Sequence, residues 1–312
     1  MNRLLRTNLF VFCFIILYFA LSFSIGFISA LLPENAHASL WTSLLIYLLS
    51  FGIPALVYAL IAKRKNNQRL ADFFSFHRLP VVSILLVIAA AITVQPLMML
   101  ISSISQLFFR NITTSSMLQM AEMPLWAFLI SSAVLPAFFE ELICRGIIFN
   151  GYQDTPAWYA LFIPALFFGM LHLNFQQSLY AIAGGIFFAL LVKATGSLWS
   201  SIIAHLTING LQSLFAWYML QSGAYDSAAA LELPTGWMGM LLALIPYIFL
   251  TAITLPLLIL CLRQLFIRHR KPEQTLRPLW PHWHQGAWVM YGIIGFLLLY
   301  TIATEIMIRL LP

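Results

Sequence analysis

The stretch FFEELICRG, Phe138–Gly146, sets Glu140, Glu141 and Arg145 between the apolar runs WAFLISSAVLPA (126–137) and GIIF (146–149). Charges so placed demand a reason, and the rest of the chain says in which medium. Of 312 residues, 62% are hydrophobic and 8% charged, against roughly 45–50% and about 25% in soluble globular domains. The expected fold class is therefore all-α, a polytopic transmembrane helix bundle. Asp and Glu together number only 10, so an adjacent pair of them inside an apolar segment is unusual even within this sequence.

Working outward from that stretch, apolar segments near the ~20 residues needed to cross a bilayer fall at about 8–31, 41–62, 80–106, 124–148, 157–173, 178–194, 198–220, 237–261 and 286–308. Nine spans are expected, with eight as the alternative. Residues 157–173 form the weakest of them, because they are short, contain Pro164 and end in HLNFQQ. The first span is too long for a removed signal peptide and lacks a small-residue cleavage site.

Lys and Arg collect at Arg3 and Arg6, in KRKNNQR (63–69), at Lys193 and in RQLFIRHRKPEQTLR (263–277). Threaded alternately, nine spans put all of these on one side, which the positive-inside rule makes cytoplasmic. The opposite loops, 33–39, 110–123 and 221–236, carry Glu34, Glu122, Asp226 and Glu232 with a single Arg. The expected location is the cell membrane, multi-pass, with the N-terminus in the cytoplasm. The net charge of +6 belongs to this pattern, and nucleic acid is not an expected partner. Residues 70–79, LADFFSFHRL, read as a short interfacial helix. Three cysteines, far apart, suggest neither a disulfide framework nor a CxxC metal site.

The chain divides into three parts. Residues 1–119 hold three spans and a basic loop, 120–225 a core with the polar motifs, and 226–312 two spans with a second basic loop. No internal repeat marks a further division.

An ionisable residue within a span is a functional candidate that needs a partner. Glu141 and Arg145 lie four apart and share a helical face as an expected ion pair. Glu140 is rotated by about 100° from Glu141 and looks elsewhere. A structural salt bridge needs one Glu, so the second is left over. Pro136, four residues before Glu140, removes a backbone hydrogen bond and can open the helix there. His205 and Asn209 share a face by the same spacing. His172 follows Phe168 by four, and Gln176 follows His172 by four. Glu305 and Arg309 form a similar pair near a helix end, read as structural. From the cytoplasmic helix ends, Glu140, His172 and His205 lie about 8, 16 and 8 residues deep, or roughly 12, 24 and 12 Å at 1.5 Å per residue. Tilted helices can bring them into one layer.

A single His in an apolar helix is by itself more often a hydrogen-bonded packing residue than a catalytic one; the case rests on convergence. A carboxylate, two imidazoles and a carboxamide in a desolvated pocket suit general acid and base catalysis on a water, with His205 and Asn209 placed to stabilise an oxyanion. Glu140, His172 and His205 could also supply three ligands to a catalytic zinc, although no HExxH is present. Neither GxSxG nor a Ser tied by spacing to a His supports a serine mechanism. A non-catalytic scaffold or immunity protein binding a peptide in the same pocket, or a proton-coupled transporter using Glu140, would need the same residues. No paired halves of the transporter kind are visible.

EExxxR (Glu140, Glu141, Arg145), FxxxH (Phe168, His172) and HxxxN (His205, Asn209), in this order on successive apolar helices, resemble the CAAX protease and bacteriocin-processing (Abi) family of intramembrane glutamic endopeptidases. The resemblance covers about residues 120–225. It implies that Glu140 activates water with help from His172, that His205 and Asn209 form the oxyanion hole, that Glu141 and Arg145 support them, and that no cofactor is required. It also implies a peptide or protein substrate, lipidated or a leader-peptide precursor. The eukaryotic relatives cut prenylated C-terminal tails; bacterial members serve bacteriocin maturation or immunity, peptide signalling and protein processing. Some relatives carry Asn where this chain has Gln176, whose longer stem can make the same bonds.

Overall fold

The computed structural model describes residues 3–30, 40–66, 69–109, 120, 123–223, 236–269 and 286–310. These form an all-α polytopic bundle. α1 is Arg3–Ala30. α2 (Leu40–Tyr47) runs through a π-helical turn, Leu48–Gly52, into α3 (Ile53–Asn66). The short α4 (Leu70–Phe73) precedes α5 (Val81–Gln106). α6 (Leu125–Leu129), a π turn (Ile130–Val134), α7 (Leu135–Glu141) and a π segment (Leu142–Phe149) make one continuous rod. α8 (Ala157–Met170), α9 (Phe175–Thr195), α10 (Leu198–Gln221), α11 (Gly236–Arg268) and α12 (Ala287–Leu310) follow.

Helical stretches thus stand at all nine places where the sequence suggests a span. Seven are long and apolar enough to cross a membrane. The other two depart for different reasons. α8 has 14 residues, or about 21 Å, and stops short of a bilayer. α10 has 24, but its inward face carries His205, Asn209, Gln212 and Ser213, which lower its hydropathy.

Local chemistry sets the ends. Pro80, Pro124 and Pro156 precede α5, α6 and α8 with φ of −59°, −53° and −52°, near the value their rings impose. Asn174 caps α9 by accepting from the Gln176 N–H, and Gly196 ends it at φ 68°, a left-handed C-cap that glycine adopts without a Cβ clash. Residues 70–79 are a correction to the expected interfacial helix: only Leu70–Phe73 is helical. The remainder turns at Ser75 (φ 57°) and is tied to the α9–α10 turn, because the Leu198 N–H donates to the Ser75 carbonyl at 2.9 Å.

Packing separates a core from a shell. In the rod from Leu125 to Phe149, 61% of the most apolar window is buried, and in α9 56%, against 17% in α1 and α11. α8 lies close on α9 because glycine allows it. A Cβ on Gly185 would meet Ala165 Cα at 2.9 Å, and one on Gly169 would meet the Ser178 carbonyl at 2.7 Å. Small residues give membrane helices this close approach. α11 lies along α5, and α1 against α12.

The ends of the helices sort as alternate threading requires. Arg3 donates to Asn150, Asn8 to the Gly286 carbonyl, and His269 bonds Ser83, all at one end. At the other, Arg309 donates to the Phe108 carbonyl and Phe109 packs on Phe175. The charged loops within 33–39, 110–119 with 121–122, and 224–235, and residues 270–277 of the second basic run, lie outside the described residues.

Candidate active site

The two acids of FFEELICRG have separate fates. Glu141 is fully buried, and its Oε1 accepts from Arg145 at 2.8 Å and from His205 Nδ1 at 3.0 Å. The Arg145 guanidinium also donates to the Gly185 carbonyl at 3.1 Å. It lies over the Phe168 ring at 4.5 Å and the Phe188 ring at 5.1 Å, positions in which ring quadrupoles attract a cation. Phe188 stacks on His205 at 4.8 Å. Four elements, α7, the π segment after it, α8 and α9, therefore meet α10 around one buried charge pair.

Glu140, rotated on the helix from Glu141, stays out of the charge pair and lines a cavity of about 300 Å³. His172, His205 and Asn209 line the same cavity. The structure thus brings together the four residues singled out from spacing, with Glu141 and Arg145 directly behind them. The tautomers follow from the partners. A carbonyl only accepts, so the His172 Nδ1, 3.0 Å from the Phe168 oxygen, carries a proton and leaves Nε2 as a base. The His205 Nδ1–H is held by the Glu141 carboxylate.

Asn209 has a partner that Pro136 creates. Proline has no N–H to offer the Ser132 carbonyl four residues back, and the Asn209 amide donates to that carbonyl at 3.3 Å. One N–H of the amide remains. The room expected at Pro136 is present: Pro136 lines the cavity, just after the π turn Ile130–Val134. His172 lies in the turn beyond the end of α8, and the shortness of that helix is what carries the imidazole to cavity depth. Leu173, with φ 54°, then reverses the chain into α9.

Two expectations change. Gln176 is buried and donates to Ser102 Oγ at 2.9 Å; its neighbour Gln177 lines the cavity instead. His205, read from spacing as a partner of Asn209, is also bonded to Glu141. Spacing also missed Tyr47, Tyr180 and Gln212 on the cavity wall. Gln212 lies on a span already marked as bearing a motif and Tyr180 on the span between two of them, but one polar residue in a helix carries no signal of its own. Tyr47 comes from a distant helix. Among the described residues no group of three His, Cys, Asp or Glu side chains could hold a metal ion.

Fold and site together define a polytopic helical bundle with a polar cavity built on paired glutamates. Comparison with known proteins agrees with the resemblance drawn from the motifs. Residues 121–211 match the family described as Type II CAAX prenyl endopeptidase Rce1-like, a segment that includes all seven motif residues, Glu140, Glu141, Arg145, Phe168, His172, His205 and Asn209. The chain is also similar to the Bacillus subtilis protein named "Putative membrane peptidase YdiL", at 35% identity over 82 residues, 26% of this chain and 34% of that protein. The match spans about a third of the length of that relative. No solved structure matches.

Proposed function

We propose that the chain is a membrane-embedded glutamic endopeptidase, in which Glu140 activates a water that hydrolyses a peptide bond inside the bilayer. The observation that carries this is the division of labour between adjacent acids: Glu141 is consumed by Arg145 and His205, while Glu140 lines the cavity with His172. The similarity of residues 121–211 to an endopeptidase family supports it.

As the water oxygen bonds to the carbonyl carbon, its proton passes to the Glu140 carboxylate and the carbonyl electrons move onto oxygen. The oxyanion accepts from the free Asn209 N–H and from His205 Nε2. With Nδ1–H already given to Glu141, His205 donates there as an imidazolium. Collapse breaks the C–N bond, and the amine leaves with the proton relayed through Glu140 and His172 Nε2. Preorganised donors of this kind account for much of the rate in acyl transfer. No cofactor takes part.

The substrate is a peptide or protein segment drawn into the bilayer, a lipidated tail or a leader-peptide precursor. Residues 120–225 hold the chemistry, and the helices over 1–119 and 226–312 frame it. The charge distribution supports a cell-membrane protein with a cytoplasmic N-terminus.

The test uses the full chain reconstituted in lipid nanodiscs with a pool of internally quenched peptides. Wild type cleaves members of the pool, with or without a chelator, and Glu140→Gln does not. Cleavage by Glu140→Gln at the wild-type rate overturns the proposal, and loss of wild-type activity with chelator that zinc restores replaces it with a metal mechanism.

A further inference from the structure

Glu140 is held by a residue far outside the segment that resembles the endopeptidase family. The Tyr47 hydroxyl donates to Glu140 Oε1 at 3.1 Å, and Tyr47 lines the same cavity. A carboxylate on a free torsion presents either oxygen in many directions. A charge-assisted bond to one oxygen restricts that torsion and leaves the other oxygen outside the bond.

The mount for this phenol is specific. Tyr47 is the last residue of α2, directly before the π turn Leu48–Gly52. Its ring stacks on Phe139, the residue preceding Glu140, at 6.1 Å and 23°, and packs on Phe51 at 5.4 Å. At Gly52 a Cβ would come within 2.7 Å of Phe139 Cε1, so only glycine lets that ring sit against the turn. Ser50, Phe51 and Gly52 are buried. π turns recur at functional sites because the wider turn re-aims the side chains beside it. Here the turn grips Phe139 and sets the Tyr47 hydroxyl on the next residue.

We propose that Tyr47 is a positioning residue for Glu140, carried by the π turn Leu48–Gly52, so that the N-terminal helices complete the site rather than flank it. This rests on the role given to Glu140 above. Tyr47→Phe keeps the ring packing and removes only the donor, and Gly52→Ala keeps the donor and displaces Phe139.

Both variants are assayed in the full chain in nanodiscs, on one quenched peptide that wild type cleaves. Tyr47→Phe is expected to lower kcat about 10- to 100-fold, the range for a hydrogen bond to a charged group, with KM and the thermal midpoint close to wild type. Gly52→Ala is expected to lower kcat in the same direction. Wild-type kcat in either variant overturns the proposal. So does a Tyr47→Phe loss confined to the thermal midpoint and yield, with kcat per folded molecule unchanged, because that is what a merely structural phenol would show. Inactive Glu140→Gln beside a wild-type-like Tyr47→Phe overturns this proposal alone; active Glu140→Gln overturns the role of Glu140 and this proposal with it.

Discussion

Glu141 with Arg145 in the core, and Glu305 with Arg309 in α12, are the same acid and base at the same spacing, bonded at 2.8 and 2.9 Å. Their surroundings differ. The core pair is 0% and 3% exposed; in the outer pair Glu305 is 12% and Arg309 56% exposed. His205, the Gly185 carbonyl and the Phe168 and Phe188 rings add partners to the core pair, all of those on the Glu141 side falling on its Oε1. The outer Arg309 adds one bond, to the Phe108 carbonyl. Further bonds of this kind offset part of the desolvation of a buried ion pair, whereas an exposed pair gains little from being made. The same i, i+4 pattern therefore builds a framework in one place and a fastening at a helix end in the other.

The largest effect that separates the two pairs is expected at Arg145. Arg145→Met leaves Glu141 buried beside His205 without its cation, and should destabilise the protein by about 3–5 kcal/mol, the range for an orphaned buried charge. Chemical unfolding in detergent micelles measures it, and a loss below about 1 kcal/mol, the range of exposed pairs, would erase the contrast. A smaller effect is expected from Gly185→Ala. Its Cβ would meet the backbone of Ala165, moving α9 off α8 and withdrawing the carbonyl that accepts from Arg145, at about 1–3 kcal/mol for overpacking. Gly292 in α12 has nothing within 4 Å of the corresponding Cβ, so Gly292→Ala is its matched control and should leave the unfolding midpoint unchanged or raise it slightly, since Ala favours a helix over Gly. The smallest effect is expected for Glu305→Gln, within about 1 kcal/mol of wild type, and a larger loss would show that α12 is pinned by its ion pair.

Much of the fold is legible because length and apolarity are local properties. A run of about 20 apolar residues spans a bilayer as a helix whatever its neighbours are, and so all nine places were readable. α8 is the instructive exception. Its shortness is visible in the sequence, but that the missing length becomes a turn delivering His172 to the cavity depends on α9 packing back through Gly169 and Gly185. The interfacial helix expected over 70–79 failed for a related reason. The carbonyls of Ser75 and His77 are taken by the α9–α10 turn, and a long-range bond of that kind leaves no local trace.

The site divides along the same line. Residue spacing on a helix determines which side chains share a face, so the sequence by itself separated Glu140 from Glu141, paired Glu141 with Arg145, and set His205 with Asn209. It could not say which face meets which helix. That His205 bonds Glu141, that Asn209 answers the carbonyl Pro136 leaves open, that Gln177 rather than Gln176 reaches the cavity, and that Tyr47 crosses from α2 to Glu140 were decided by tertiary packing alone. Each of these contacts joins residues from different helices, and the rotation and depth at which two helices meet are set by side chains along their whole length rather than by the residues that touch at the site.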